Sequence, residues 1–357
     1  MSHLLTFPAH VVRGAEAAQQ LAPILHRLGG RVFVLGGRKA LSAANTLLDQ
    51  QLGDMQVVGR ALYGQQVTWA RIHTLVAQVK ECAASVVLGV GGGKALDTAK
   101  AVAEQAGVPV VMLPTLAATC AAVSAVSVIY DEHGHYVGLY KLAKAPDAVI
   151  LDPALIVTAP VRWLAAGLGD TLAKLYEYRA ISGGAPALSV NMAAYLNGQL
   201  CYQLIERHGK AACAEVASGQ PGFALEQVMD AIFLYAGLTS IMGVGDHVAA
   251  AHAIFDGFTV LEKTRHFGHG LLVGFGNLCL LALEGRSDAE ICAAIALAQD
   301  CQVPVSLDDI APLDAEELRQ VAEAACATPD MANMPVPVTV EAVLAAMQRV
   351  SALARRQ

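Results

Sequence analysis

The chain has 357 residues, a hydrophobic fraction of 55%, 8 cysteines and a formal net charge of -7 at pH 7. This length exceeds the usual size of a single hydrophobic core, so we expect two domains. The negative charge argues against a nucleic-acid partner, and no apolar run reaches the roughly 18 residues that a membrane-spanning helix needs.

The N-terminus and the cysteines indicate in which cellular compartment the protein is expected. The first residues lack the basic region, apolar core and small-residue cleavage site of a secretory signal. The cysteines are scattered along the chain without a C-x-x-C pair, which favours free thiols in a reducing environment. We therefore expect a cytoplasmic protein with no membrane partner.

Short apolar runs alternate with helical patterns in the first half of the chain. These runs are Arg31–Leu35, Ser85–Val90 and Val108–Leu113, and each ends at a glycine or proline turn. The alternation is typical of a parallel sheet with crossover helices, whose strands are covered on both faces. Between Val126 and Tyr140, the polar turn Asp131–Gly134 predicts a β-hairpin appended to this sheet.

Strand patterns almost disappear after Asp152 and Pro153, and helical periodicity continues to the end of the chain. We therefore predict an α/β N-terminal domain over residues 1–155, built on a parallel sheet. An all-α C-terminal domain is predicted over residues 156–357.

A glycine-rich loop, Gly91–Lys94, lies between a predicted strand and a predicted helix. Residues without a β-carbon let the backbone approach a phosphate closely, and the free amides at the start of a helix bind anions. A tight turn without a ligand is the alternative. Three consecutive glycines followed by a lysine favour the phosphate of a cofactor.

One aspartate and two histidines form a candidate metal site. Asp170 and His252 lie in apolar helical segments, and His269 stands between two glycines. One carboxylate and two imidazoles are a catalytic rather than a structural ligand set, because they leave a coordination position open. Each histidine could instead be a hydrogen-bonded core residue, and the spacing leaves their convergence open. His266 is either a group that contacts the substrate or a solvated loop residue.

Together these segments resemble the iron-containing, or group III, alcohol dehydrogenases, and within them the glycerol dehydrogenase branch. The motifs that carry the resemblance are Gly89–Lys100, Pro114–Thr115, Ser124–Tyr130, Gly169–Asp170, Ala249–Ile254 and His269–Gly270. The resemblance implies a Rossmann-like N-terminal domain, a helical C-terminal domain and an active site in the cleft between them. It implies Asp170, His252 and His269 as catalytic ligands of one divalent metal ion, zinc or iron, with nickel as a further option. A homo-oligomer is also usual in this family.

The resemblance also implies a dinucleotide site. Its residues are Gly91, Gly92, Gly93, Lys94, Asp97, Thr115, Ser124, Val126 and Tyr130. Glycerol dehydrogenases generally carry an acid after the first strand, where this chain has Gly37 and Arg38, followed by Lys39. Without the acid, two cations could accommodate a 2'-phosphate, so we favour NADP over NAD. The alternative is that both cations merely begin a solvated helix.

Two departures from glycerol dehydrogenases concern the substrate. Cys120 stands where they carry an aspartate that contacts the polyol, and Phe255 and Asp256 replace a histidine and an asparagine. Loss of the acid should weaken glycerol binding and make a carboxylate more tolerable, as in the similar bacterial hydroxycarboxylate dehydrogenases. With Cys120 and His266 as candidate substrate residues, we expect an enzyme that transfers hydride between NAD(P)H and a small 2-oxo acid. The alternatives are an NAD-dependent glycerol dehydrogenase, a dehydroquinate synthase-like cyclase and a non-catalytic nucleotide-binding protein.

Overall fold

A parallel β-sheet organises the first half of the chain. The structure, a computed structural model, describes residues 4–184, 187–243 and 247–356. Its strands are β1 (His10–Arg13), β2 (Arg31–Gly36), β3 (Gln56–Leu62), β4 (Val86–Gly91), β5 (Val110–Pro114), β6 (Val126–Tyr130), β7 (Tyr136–Lys141) and β8 (Ala148–Leu151). Six of them form one parallel sheet in the order β1-β8-β5-β4-β2-β3.

The centre of the sheet consists of β5, β4 and β2, which are the three predicted apolar runs. Val34, Leu88 and Leu113, one from each strand, are completely buried. Consecutive apolar residues form these strands because both faces of a parallel sheet are covered. The predicted parallel sheet is confirmed.

The hairpin and the outer strands differ from the prediction. Strands β6 and β7 pair antiparallel with each other in a separate two-stranded sheet, so the hairpin is not appended to the parallel sheet as predicted. Strands β1, β3 and β8 were not predicted from the sequence. β1 and β3 are the two edge strands of the sheet. Edge strands are often short or interrupted by polar residues, and β1 has 4 residues whereas β3 contains Gly59 and Arg60.

Helices make up the rest of the regular structure. They are α1 (Leu21–Arg27), α2 (Arg38–Ala43), α3 (Asn45–Leu52), α4 (Trp69–Glu81), α5 (Gly93–Ala106), α6 (Pro153–Ile156), α7 (Val161–Ser182), α8 (Ser189–Ser218), α9 (Phe223–Met229), α10 (Ala236–Met242), α11 (Ala250–Phe258), α12 (His269–Leu283), α13 (Asp288–Asp300), α14 (Leu307–Ile310), α15 (Ala315–Cys326) and α16 (Val340–Ala354). Short 3-10 helices cover Ala17–Gln20, Cys120–Ala122, Glu262–Phe267 and Met331–Asn333, and Asp230–Tyr235 is a π-helix. Among the described residues, no helix has the length and apolar character to cross a bilayer.

The chain divides into two compact units. The first extends to Pro160 and includes Glu215–Met229, whereas the second comprises Val161–Ala214 and the chain from Asp230 onwards. The sheet belongs to the first unit, and the described part of the second is helical, as predicted. Glu226 on α9 lies 3.5 Å from Arg13, a contact within the first unit. The domain limits at residues 155 and 156 stay a proposal.

Candidate active site

Three helices of the second unit approach one another closely because glycines lie at their contacts. A β-carbon on Gly169 of α7 would stand 2.5 Å from the carbonyl oxygen of Gly270 on α12. One on Gly276 of α12 would stand 2.4 Å from the carbonyl oxygen of Ala251 on α11. Any side chain at either glycine would push the backbones apart. The residues beside these contacts are therefore held at short range.

The ligand candidates lie beside these contacts. Asp170 follows Gly169, His252 follows Ala251, and His269 is the first residue of α12. The Oδ1 atom of Asp170 is 3.6 Å from Nε2 of His252 and 3.5 Å from Nε2 of His269. One ligand atom from each residue lies within 4.8 Å of the others. The structure thus brings together the three residues that the sequence singled out.

This cluster fits a divalent cation. Oδ1 of Asp170 is buried and has no hydrogen-bond partner within the described ranges, which is costly unless a cation compensates for it. A zinc ion bound at about 2.0–2.1 Å places tetrahedral ligands about 3.3–3.4 Å apart, close to the two distances from Asp170. The set of one carboxylate and two imidazoles also suits iron.

The charges around Asp170 keep it ionised. Burial raises its pKa, but the Lys174 ammonium and the two histidines lower it well below its usual range. For His252, burial lowers the pKa, whereas Glu177 and Asp170 raise it to about 10. A divalent cation bound at Nε2 of His252 would take the place of any proton on that nitrogen.

The buried carboxylate of Glu177 contacts Nδ1 of His252, whereas Asp170 lies near Nε2 of the same ring. Its Oε2 lies 2.6 Å from Nδ1 of His252, and its Oε1 accepts hydrogen bonds from the backbone amides of Ala249 and His252 at 2.7 and 3.0 Å. Burial raises the pKa of Glu177, but His252 and the two amides lower it below its ordinary value. Glu177 was not predicted from the sequence. The available signal was a second acid two helical turns after Asp170.

The predicted phosphate loop lies in the first unit, between β4 and α5. Gly91 has a φ of 149°, and its β-carbon would stand 2.8 Å from that of Ala95. Gly92 is the N-cap of α5 and provides no side-chain cap, and uncapped amides at the start of a helix are typical phosphate-binding groups. Thr115 donates its amide to the carbonyl of Gly91 at 3.1 Å. Gly93 begins α5.

Lys94 and Tyr130 are neighbours at this loop. Nζ of Lys94 lies 5.1 Å from the centre of the Tyr130 ring and donates to Oε1 of Gln66 at 2.6 Å. An ammonium over an aromatic face is a favourable arrangement. Five predicted cofactor residues, Gly91, Gly92, Gly93, Lys94 and Tyr130, are therefore on or near one loop.

Lys100, to which no role was assigned from the sequence, contacts three further candidates for the dinucleotide site, Asp97, Ser124 and Val126. Its completely buried Nζ donates to the carbonyl oxygens of Ala121, Ser124 and Val126 and to Oγ of Ser124. Nζ is also 2.9 Å from Oδ1 of Asp97. Asp97, Ser124 and Val126, which were predicted to belong to the dinucleotide site, thus each direct at least one polar atom at Lys100. Their role towards the dinucleotide stays a prediction.

The loop after β2 is adjacent to the glycine loop. The amide of Gly37 bonds to the carbonyl of Val90 at 3.4 Å, and it would stand 3.8 Å from a β-carbon on Gly91. Gly37 is the N-cap of α2, and Arg38 and Lys39 are exposed at its start. Both cations are therefore near the predicted dinucleotide site.

The two candidate substrate residues are on separate units. Cys120 begins a 3-10 helix in the segment that Lys100 contacts. His266 is exposed, its carbonyl accepts a 2.6 Å hydrogen bond from Arg162, and its ring packs 4.4 Å from that of Phe267. A substrate role for either residue stays a prediction.

Comparison with known proteins identifies the family. The model of the iron-containing alcohol dehydrogenases matches residues 8–153. A glycerol dehydrogenase of Escherichia coli O6:H1 is 36% identical over 97% of this chain and 96% of its own length. The chain belongs to the iron-containing alcohol dehydrogenase family. The resemblance drawn from the motifs is confirmed.

Further relatives of this iron-containing alcohol dehydrogenase support the assignment. Hydroxycarboxylate dehydrogenase A of Escherichia coli K12 is 36% identical over 72% of this chain and 71% of its own. The crystal structure of a probable glycerol dehydrogenase from Sinorhizobium meliloti 1021 matches with a TM-score of 0.86 and 34% identity over the whole of both chains. The protein is an alcohol oxidoreductase, and the family implies a nicotinamide dinucleotide and a divalent metal ion. A cyclase and a non-catalytic protein are therefore set aside.

Phe255, one of the positions at which the resemblance implied a departure from glycerol dehydrogenases, lies beside the candidate metal ligand His269. The Phe255 ring packs edge-on against His269, with ring centres 4.4 Å apart and an interplanar angle of 79°. The edge of an apolar ring thus contacts the imidazole of His269. The neighbouring Asp256 has its pKa raised by burial, an effect that His269 and His252 offset only in part.

Proposed function

We propose that this iron-containing alcohol dehydrogenase reduces a small 2-oxo acid to the 2-hydroxy acid with NADPH, and catalyses the reverse reaction. In reduction, a hydride moves from C4 of the nicotinamide to the carbonyl carbon, and the carbonyl oxygen takes up a proton from solvent. The observation that carries the oxidoreductase chemistry is the orphaned Oδ1 of Asp170, facing Nε2 of both His252 and His269.

Residues of the chain provide the charge and the orientation that this chemistry needs. Asp170 contributes a negative charge that Lys174 helps to keep ionised. His252 is held by Glu177, so its ring nitrogen faces Asp170. A divalent cation bound there supplies Lewis-acid polarisation of a carbonyl. The glycine loop and the start of α5 supply amides for the cofactor phosphates, and the hydride chemistry belongs to the nicotinamide.

Two features support the 2-oxo acid and NADPH. With Cys120 in place of the expected aspartate, this position lacks a negative charge that would repel a carboxylate. A hydroxycarboxylate dehydrogenase is also among the relatives. Arg38 and Lys39 are exposed at the loop where an acid would otherwise accept ribose hydroxyls. The second candidate is NAD-dependent oxidation of glycerol, which the full-length similarity to glycerol dehydrogenases favours.

Steady-state kinetics distinguish the two candidates. We expect a higher kcat/KM for 2-oxobutanoate or 2-oxoglutarate with NADPH than for glycerol with NAD, each measured with the zinc-loaded and the iron-loaded protein. A clear preference for glycerol and NAD would overturn the proposal in favour of the second candidate.

We also propose a homo-oligomer, as is usual in the family. Leu188, Met192 and Leu196 leave a partly apolar surface at the start of α8, each with 40% or more of its surface exposed. Light scattering of the purified protein tests this: a mass near 37.2 kDa, that of one chain, would contradict it.

A further inference from the structure

Glu177 is the most completely buried acid near the candidate metal ligands Asp170, His252 and His269. Its side chain is 1% exposed, and it lies on α7, the helix that carries Asp170. A carboxylate buried to this degree is costly unless hydrogen-bond donors surround it. Within residues 4–184, 187–243 and 247–356, its hydrogen-bond partners all come from one short segment at the start of α11.

One oxygen of Glu177 caps a helix that has no cap of its own. Ala249, the N-cap of α11, cannot provide a side-chain acceptor. Oε1 of Glu177 replaces it by accepting from the amides of Ala249 and His252 at 2.7 and 3.0 Å. The carboxylate therefore satisfies amides that the helix start leaves without intrahelical partners.

The other oxygen of Glu177 acts on the imidazole of His252. Oε2 lies 2.6 Å from Nδ1, and an ionised carboxylate can only accept a hydrogen bond. The proton is therefore on Nδ1, and Nε2 can present its lone pair on the side where Oδ1 of Asp170 lies, 3.6 Å away. Hydrogen bonds of this kind orient metal-binding histidines and increase their basicity.

We propose that Glu177 is a positioning residue of the metal site: from α7 it sets the tautomer of His252 and holds the backbone at the start of α11, where His252 lies. This inference rests on the proposed metal-binding role of Asp170, His252 and His269. It goes beyond that role because it assigns a function to a residue that would not itself touch metal or substrate.

The chain contains a matched control for the capping part of this role. Glu215 accepts hydrogen bonds from the amides of Ala224 and Leu225 at 3.3 and 2.7 Å, at the start of α9. It thus caps a helix as Glu177 does, but in the described part of the chain its side chain makes no hydrogen bond or ion pair with a histidine. A purely structural role predicts similar effects from both acids, whereas a positioning role predicts a specific effect of Glu177.

Glu177→Gln separates the two roles. Glutamine has the same shape, but it has one acceptor oxygen and one donor NH2 group. Only one of its two terminal atoms can accept a hydrogen bond. The glutamine therefore cannot use one atom to accept from the backbone amides and the other to accept from Nδ1 of His252. We expect the affinity of metal-stripped protein for Zn2+, measured by titration against a competing chelator, to fall by about 10–100-fold. Glu215→Gln should leave this affinity unchanged.

Two further measurements keep the inference testable if Glu177→Gln does not fold. The visible spectrum of the Co2+-loaded protein should differ between wild type and the milder variant Glu177→Asp, and not between wild type and Glu215→Gln. In wild-type protein loaded with Zn2+ and labelled with 15N-histidine, the His252 signal, assigned with His252→Ala, should show the Nδ1-H tautomer.

The outcomes separate this inference from the proposed site. If His252→Ala retains wild-type Zn2+ affinity, the metal site itself is wrong. If His252→Ala loses affinity while Glu177→Gln binds Zn2+ as tightly as Glu215→Gln, the site stands and the role of Glu177 is overturned. An Nε2-H tautomer of His252 in the Zn2+-loaded protein would also overturn it.

Discussion

Gly169 and Gly270 place the backbones of α7 and α12 in direct contact, since a β-carbon on Gly169 would lie 2.5 Å from the Gly270 carbonyl oxygen. The contact is one residue from Asp170 on one helix and one residue from His269 on the other. The separation of two candidate metal ligands therefore depends on the absence of a side chain at Gly169.

Gly169→Ala should destabilise the protein because the contacting atom is backbone and cannot rotate away. We expect a loss of about 1–3 kcal/mol in the free energy of unfolding, measured by urea titration, together with weaker Zn2+ binding. Gly138→Ala is the control, because nothing lies within 4 Å of a β-carbon there. Equal stability of the two variants would show that the helices are not held at this distance.

Asp170→Asn should abolish metal-dependent activity with little change in side-chain volume. The amide lacks the charge that attracts the cation, so the fall in Zn2+ affinity should exceed the roughly 10–100-fold typical of residues that only orient a ligand. Metal content after dialysis and turnover of the same sample provide the measurement. Asp131→Asn, on the exposed hairpin, should retain both, and full activity of Asp170→Asn with a strong chelator present would refute the metal mechanism.

Lys100→Met should weaken both the fold and cofactor binding. It leaves the buried Asp97 carboxylate without its cation, and breaking a buried pair costs about 3–5 kcal/mol. The carbonyls of the segment around Ser124 also lose their common donor, so the Kd for NADPH, measured by nicotinamide fluorescence, should rise.

Lys144→Met provides the comparison for Lys100→Met. Lys144 pairs with Asp147 at 2.8 Å, but its side chain is 56% exposed. Surface pairs of this kind contribute about 0–1 kcal/mol. A loss of stability in Lys100→Met as small as that in Lys144→Met would contradict the organising role of Lys100.

Arg38→Ala tests the choice between the two cofactors. If Arg38 binds a 2'-phosphate, removal of a charge-assisted hydrogen bond worth about 1.5–3 kcal/mol should lower kcat/KM for NADPH by roughly 10–100-fold. The value for NADH should stay unchanged, because NADH has no such phosphate. Lys80→Ala, at the exposed end of α4, should affect neither cofactor. A parallel fall for both cofactors would remove the basis for preferring NADPH.

Cys120→Asp tests the choice of substrate. The new carboxylate should repel a 2-oxo acid and provide an acceptor for a polyol hydroxyl. We therefore expect kcat/KM to fall for 2-oxobutanoate and to rise for glycerol, with Cys120→Ser close to wild type. An unchanged ratio of the two substrates in Cys120→Asp would mean that Cys120 does not line the substrate site.

The local sequence pattern was sufficient to predict the central strands of the sheet and to recognise the family. Strands β2, β4 and β5 are apolar at consecutive positions because both faces are covered. The outer strands escaped prediction because Gly59 and Arg60 interrupt the apolar pattern of β3, and β1 has only 4 residues. The hairpin was predicted from its turn, but its separate sheet depends on pairing that no local pattern records.

The sequence by itself determined which residues have the chemistry of the site, since the glycine loop, Asp170, His252 and His269 are conspicuous in their apolar surroundings. Only the tertiary structure decided that the three candidate ligands meet, because close helix contacts such as that of Gly169 set their separation. Only the tertiary structure revealed Glu177, whose partners lie far from it along the chain. A buried charge is stabilised by whatever surrounds it in space, so its role cannot be recognised until the chain is folded.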